Sequence, residues 1–176
     1  MAKFAKMREG PESVVPHVIP LTKLSVQDVH IQQTKRGATV SRDQGRILAI
    51  LVEGVATTTL EAFDKRYLCI KIADDAALAI NQLGAAIERD ENARWWSPVA
   101  DNVFKVRLSE STTIFDKDGE SIPKVWPNTQ IKCLVKCDRL WRLAIHETPR
   151  FGLTYEVTQV VVLGSVAVPC LIVDDT

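Results

Sequence analysis

Basic and aromatic side chains recur together in the second half of the 176-residue sequence. Cations bind the phosphates of a nucleic acid, and flat rings stack on unpaired bases of any sequence, contributing about 1–3 kcal/mol per base. Their combination in neighbouring segments therefore indicates a site for single-stranded DNA, with RNA left open. The predicted nucleic-acid-binding residues are Lys105, Arg107, Trp126, Lys132, Lys136, Arg139, Trp141, Arg142 and Tyr155.

The same residues also have a purely structural interpretation. Lysines that alternate with apolar residues are typical of a half-exposed strand, whose polar face is solvated. Trp141 and Tyr155 alternate with aliphatic residues, a pattern that favours a place in the core. Trp126 lies in loop-like sequence beside Pro127, where its amphipathic ring is equally consistent with ligand contact and with packing. The nucleic-acid interpretation requires that the rings and cations share one groove.

No constellation of residues indicates catalysis. The three histidines, His17, His30 and His146, lie apart from any nucleophile motif or metal-spaced partner, and no glycine-rich phosphate loop is present. Pairs of acidic residues fall at a predicted helix start, in a turn and in the C-terminal tail, which accounts for them without acid–base chemistry. The sequence predicts a binding protein and not an enzyme, with no cofactor, metal or small-molecule substrate.

Charge and cysteine content narrow the class of protein further. The chain carries 22 basic and 22 acidic side chains, which argues against a polycation that binds by charge alone. Its four cysteines fall in apolar segments, as expected for buried thiols in a reducing intracellular compartment. Cys133 and Cys137 lie in an alternating run and not in a metal-binding knuckle, so a zinc site is not predicted. No apolar run is long enough for a membrane span, and no membrane partner is expected.

One helix and several strands are predicted after an N-terminal arm. Prolines indicate a flexible arm over residues 1–20, and residues 21–176 are predicted to form a single domain. Asp74 is a natural N-cap for a helix over about 74–94. Strand-like segments cover 24–31, 46–56, 67–72, 103–108, 113–115, 130–137, 141–145 and 153–163. Thr57–Thr59 leads into a turn, and further turns are predicted at 116–119 and 138–139.

This order of elements predicts a mainly β fold. Five to seven strands with one inserted helix favour a small barrel like the oligonucleotide/oligosaccharide-binding (OB) fold. The helix is predicted between the third and fourth long strands. That arrangement would position the lysine-bearing and tryptophan-bearing strands around one groove.

The sequence from Asn128 to Leu163 resembles the C-terminal part of OB-fold single-stranded DNA-binding proteins of large DNA viruses and some phages. The resemblance is carried by a lysine-bearing strand, a tryptophan-bearing strand and a closing strand, at Ile131–Lys136, Leu140–Leu143 and Phe151–Val160. It implies a sequence-independent DNA-binding protein acting in replication, recombination or repair. It also implies that Lys132, Lys136, Trp141, Arg142 and Tyr155 lie nearest the binding groove. A long acidic tail is common in such proteins, whereas only Asp174 and Asp175 are present here.

A structural or assembly protein, such as a virion or scaffold component with a β-barrel or sandwich fold, is the alternative. The balanced charge and the apolar segment 160–173 favour it, because an apolar C-terminal strand can mediate contacts between subunits. Both interpretations are compatible with a homo-oligomer, which is therefore expected.

Overall fold

A computed structural model describes residues 18–34, 37–42, 45–91, 93–144 and 148–165. This part of the chain contains ten strands and one α-helix. None of its helices has the length and apolarity that crossing a membrane requires. The elements are β1 (Val18–Pro20), β2 (His30–Thr34), β3 (Gly37–Ser41), β4 (Leu48–Ala62), β5 (Lys65–Lys71), α1 (Asp74–Glu91), β6 (Arg94–Trp95), β7 (Val99–Ala100), β8 (Val103–Phe115), β9 (Thr129–Leu143) and β10 (Arg150–Ser165).

Five long strands pair in a closed ring in the order β4, β5, β8, β10, β9 and back to β4. Neighbours in the ring are antiparallel, except that β8 and β10 run parallel. Alternate side chains of each strand point into the ring and form an apolar core. The mainly β fold with one helix is thereby confirmed. Large core side chains from these strands are Leu48, Ile50, Leu68, Ile70, Phe104, Val106, Ile131, Val135 and Phe151.

Short strands extend the sheet on both sides of the ring. β1 pairs in parallel with β4, and the β2–β3 hairpin is joined to β9 through Ala38 and Thr39. Pro20 is tolerated in β1 because this is an edge strand, where a missing N–H costs no ladder hydrogen bond. The predicted arm 1–20 therefore ends in a strand, and its residues 1–17 lie outside the described residues.

Two predicted segments differ from the structure near the start of the domain. The predicted strand 24–31 contains a 3-10 turn at Val26–Asp28, because the Asp28 carboxylate accepts a 3.0 Å hydrogen bond from the Ser25 N–H. The strand predicted at 46–56 is longer than expected, because β4 runs on through Thr57–Thr59 to Ala62 before the predicted turn. The chain reverses at Phe63–Asp64, where both residues have positive φ.

The turn predicted at 138–139 is wrong. β9 continues through Asp138 and Arg139 to Leu143, and a bulge takes up the extra residue between the Cys137–Tyr155 and Arg139–Thr154 pairs. Pairing with β10 on one side and with β3 on the other keeps the backbone extended at this point. Similarly, the separate strand predicted at 113–115 is the end of β8, which contains a bulge.

The helix α1 begins at Asp74, as predicted, and ends at Glu91. It follows the second strand of the ring and precedes the third, so the predicted position between third and fourth strands is wrong. The reason is that the segment counted as the first strand, 24–31, does not belong to the ring. The buried face of α1, which includes Ile80 and Leu83, packs against the 3-10 turn Leu21–Lys23 and against β6.

Three of the four cysteines lie in the described residues, and all three are buried. Cys133 and Cys137 point inward from β9, and burial raises the pKa of Cys133 to about 12. Both therefore remain neutral thiols that pack as small apolar side chains. Cys170 and His146 lie outside the described residues.

Gly84 on α1 allows the helix to dock against β6. A Cβ atom at this position would overlap the indole of Trp95, whose ring centroid lies 5.3 Å from that of the buried Phe151. Glycine-to-alanine changes in a helix usually stabilise it by about 1 kcal/mol. Here we expect Gly84→Ala to destabilise the protein by about 1–3 kcal/mol, because the Trp95 ring would have to shift from its packing between α1 and Phe151. Urea unfolding measures this change.

The exposed neighbour Ala85 supplies the control for that experiment. Ala85→Gly should cost only the difference in helix propensity, about 1 kcal/mol. A Gly84→Ala variant more stable than the parent protein would show that Trp95 is not fixed between α1 and β10.

Candidate nucleic-acid interface

An open groove of about 790 Å³ crosses the outside of β5 and β8 and reaches the ends of β9 and β10. The described residues that line it include three cations and no aspartate or glutamate, although the whole chain is formally neutral. Such a surface attracts anions locally without a basic protein overall. Its aromatic, basic and neighbouring lining residues include Phe63, Lys65, Tyr67, Cys69, Trp96, Lys105, Arg107, Trp141, Thr154 and Tyr155.

The floor of the groove is formed by the outward side chains of β5 and β8. Tyr67 lies opposite Arg107, and Cys69 lies opposite Lys105, while the side chains between them point into the core. The Lys105 ammonium lies 4.3 Å from the centroid of the Tyr67 ring. A cation at this distance is attracted by the π face and is held beside it. The floor thus presents a ring and a positive charge side by side.

Two tryptophans form the end of the groove nearest β6. Trp141 lies opposite Gly152, and a Cβ atom on Gly152 would overlap its indole, so the ring lies flat against the β10 backbone. Trp96 meets Trp141 edge to face, with 6.3 Å between the ring centroids. Trp96 remains 50% exposed, and the Arg150 guanidinium lies 4.9 Å from its ring centroid. Indole surface is therefore available for stacking.

The β4–β5 turn places an apolar side chain at the edge of the groove. Phe63 and Asp64 have φ values of 52° and 59°, the geometry of a type I′ hairpin turn, which usually contains asparagine and glycine. A bulky residue with positive φ carries backbone strain. Phe63 is also 94% exposed, so no burial in the described structure offsets that strain. A ligand contact would account for both features.

The cations that line the groove form no ion pairs with described acidic side chains. Arg107 lies opposite Glu156, but the Glu156 carboxylate is 3.5 Å from the Lys136 ammonium on the neighbouring strand. Among the described side chains, Arg107 forms no ion pair. Burial raises the pKa of the Cys69 thiol, and the nearby Lys105 ammonium partly opposes this effect. The groove is therefore positive and holds no ionised thiol at neutral pH.

Comparison with known proteins gives similarity at the level of the fold. Solved structures with a similar fold include the following two. One is the single-stranded DNA-binding protein from bacteriophage Enc34 in a C-terminal truncation, with 10% identity, 81% of this chain and 99% of that chain covered, and a TM-score of 0.46. The other is the single-stranded DNA-binding protein from bacteriophage Enc34. It is 9% identical, the match covers 79% of this chain and 91% of that chain, and the TM-score is 0.47. The sequence matches no protein-family model and no curated protein.

Both are phage single-stranded DNA-binding proteins, the class of protein that the sequence of this chain resembles. At such low identity and TM-score the likeness assigns no ligand. Only the chemistry of the groove itself can indicate what this chain binds.

Four of the nine predicted site residues line the groove. Lys105, Arg107 and Trp141 reach it from two different strands, β8 and β9. Tyr155 contributes only to its wall, because it is 3% exposed and packs edge to face on Phe104 with 5.1 Å between centroids. Burial raises the pKa of the Tyr155 hydroxyl, which has no hydrogen-bond partner among the described residues. Tyr155 is therefore a core residue that borders the groove.

The other five predicted residues are not brought into the groove. β9 lies between β4 and β10 in the ring, so its outward lysines meet the acids of those strands. Lys132 pairs with Glu53 at 3.2 Å, and Lys136 pairs with Glu156 and Asp138. The exposed Trp126 precedes β9, at the opposite end of that strand from Trp141, and Lys124 covers its ring at 5.0 Å. Arg139 and Arg142 are exposed on β9 but do not line the groove.

Sequence reasoning missed several residues of the groove, namely Phe63, Lys65, Tyr67 and Trp96. Tyr67 and Lys65 alternate with the inward Leu68, a pattern that indicates an outward face on β5. Nothing in the local sequence shows that this face adjoins the one that carries Lys105. Trp96 precedes Ser97 and Pro98, which marks it as a residue outside regular structure and a candidate for exposure.

Proposed function

We propose that the groove binds single-stranded DNA without regard to base sequence. The lining of the groove is the observation that supports this most strongly. Aromatic rings and cations lie side by side in it, and none of the described lining residues carries a carboxylate. Bases stack on rings and phosphates pair with cations, and both contacts are the same for every base. Apart from the aromatic residues, the hydroxyl groups in the lining belong to Ser97 and Thr154. So few neutral hydrogen-bonding groups limit the recognition of individual base edges.

The position of the groove on the ring also supports the proposal. OB folds bind oligonucleotides on the face of their second and third strands, between the loops that join strands 1 to 2 and 4 to 5. In this chain the second and third ring strands are β5 and β8, which form the floor. Phe63 belongs to the first of those loops, and Arg150 begins the strand after the second.

A protein of this kind coats single strands wherever they become exposed. We therefore assign it a role in DNA replication, recombination or repair, as a binding protein that performs no covalent chemistry. Stacking on Trp96 and Trp141 would hold bases at one end of the groove, while Lys105 and Arg107 would neutralise phosphates along its floor. RNA offers similar bases and the same phosphates and is the natural competitor in a binding assay.

Titration with oligo-dT tests the proposal. Binding should quench tryptophan fluorescence as bases stack, and affinity should fall as salt rises. Tyr67→Ala removes a ring from the floor and should weaken binding by about 5- to 150-fold, the equivalent of one stacked base. Trp126→Ala removes an exposed ring outside the groove and should leave the affinity unchanged. Equal effects of the two variants, or binding without quenching, would contradict the proposed groove.

A further inference from the structure

A second cavity, of about 520 Å³, begins on the far side of Trp96. Trp96 and Ser97 line both this cavity and the groove, so the two adjoin at the exposed indole. The remaining lining residues of the second cavity are Glu88 at the end of α1, Arg94 and Trp95 of β6, and Arg150 of β10. The lining of the second cavity is more polar than the lining of the groove.

Two arginines lie side by side in this cavity. β6 pairs in parallel with β10, which places Arg94 opposite Arg150 and Trp95 opposite the buried Phe151. Because side chains alternate along a strand, Trp95 packs inward and both arginines point outward on the same face. Like charges directly opposite each other destabilise a strand pair. An anion bound between the two guanidinium groups would offset this repulsion.

One acidic residue lies beside the two arginines among the described residues. Glu88 is the one acidic residue among those lining the cavity, and its carboxylate accepts a 2.6 Å hydrogen bond from the Trp95 N–H. Among the described side chains, neither Arg94 nor Arg150 forms an ion pair. The described lining of this cavity therefore carries two positive charges and one negative charge.

The backbone that carries the arginines is firmly placed. The Arg94 N–H donates to the Pro149 carbonyl at 2.9 Å, and the Trp96 N–H donates to the Phe151 carbonyl at 2.8 Å. The Arg150 guanidinium lies over the Trp96 ring, which restricts its orientation. A pre-oriented guanidinium binds phosphate oxygens through two parallel N–H donors.

We propose that Arg94 and Arg150 form a phosphate site for a nucleic-acid strand that continues past Trp96 out of the groove. The proposal rests on the proposed function of the groove and extends its footprint toward the end of α1. Trp96 lies between the two compartments, so a base stacked on it has the next phosphodiester beside Arg150. The ligand is an internal phosphodiester and not a strand end.

Oligonucleotides of two lengths test this site. The short one is the shortest oligo-dT that saturates the fluorescence quenching of the parent protein, and the long one is roughly twice that length. Arg94→Gln should weaken binding of the long oligonucleotide by about 5- to 10-fold, reduce the slope of log affinity against log salt by about 0.7, and leave the short one unaffected. Lys117→Gln, which removes a positive charge from an exposed turn, is the control and should change neither.

Each other result has a distinct meaning. Unchanged binding of the long oligonucleotide by Arg94→Gln, or equal weakening of both lengths, would overturn the second site while leaving the groove intact. Tighter binding of a short oligonucleotide with a 5′-phosphate, abolished in Arg94→Gln, would show that the arginines hold a strand end and would also overturn the proposal. No effect of Tyr67→Ala on either length would instead remove the groove itself.

Discussion

Reversing the charge of Lys105 and Arg107 together is expected to lower the affinity for oligo-dT by at least about 100-fold. In the proposed complex each substitution would remove a charge-assisted hydrogen bond to phosphate and add repulsion. Both side chains project from β8 into a groove whose described lining holds no carboxylate. The salt dependence should also flatten, by about 0.7 in slope for each phosphate of a single strand that the protein no longer neutralises. Fluorescence titration of Lys105→Glu/Arg107→Glu at several salt concentrations measures both effects.

The outer face of β9 offers a control with the same change in net charge. Lys132→Glu/Lys136→Glu removes cations that are already paired with Glu53, Glu156 and Asp138. Such surface pairs contribute little to stability, typically about 0–1 kcal/mol each. We expect at most a few-fold loss of affinity from the general change in field. A larger loss in this variant than in the β8 variant would move the DNA path to β9.

The contrast between these two pairs shows what sequence patterns predict and what they leave open. Alternation correctly placed Lys105, Arg107, Lys132 and Lys136 on outward faces, because side-chain direction along a strand has a period of two residues. The pattern contains no information about the neighbouring strands. Ring closure places β9 beside the acids of β4 and β10 and places β8 beside Tyr67, and these pairings join residues far apart in the sequence.

The fold class and the helix start were predictable for the same local reasons. Asp74 and the apolar spacing that follows it define the beginning of α1. The long strands were predicted as shorter pieces, because Thr57–Thr59 and Asp138–Arg139 have turn-like composition while cross-strand partners hold both segments extended. A turn was expected after Thr59, but Phe63–Asp64 carries no glycine or asparagine to mark the exact position of the reversal at the edge of the groove.

Replacing Gly152 with alanine is expected to disrupt the aromatic end of the groove and the fold together. A Cβ atom on Gly152 would overlap the Trp141 indole from the neighbouring strand. Moving the ring out should destabilise the protein by about 1–3 kcal/mol, as other overpacked sites are destabilised. It should also lower the affinity for oligo-dT by about 5- to 150-fold, since the displaced indole no longer faces the bases. Urea unfolding and fluorescence titration measure the two effects separately.

Combining Gly152→Ala with Trp141→Ala separates packing from binding. Without the indole the new methyl group has room. Gly152→Ala should therefore cost much less stability in the Trp141→Ala variant than in the parent protein. Its affinity should stay as low as that of Trp141→Ala, because the stacking ring is still absent. The remaining tryptophans, Trp95, Trp96 and Trp126, keep fluorescence usable as the readout. Recovery of DNA binding together with stability would mean that Trp141 acts only as a packing residue, and the groove would then have to bind bases through Tyr67 and Trp96.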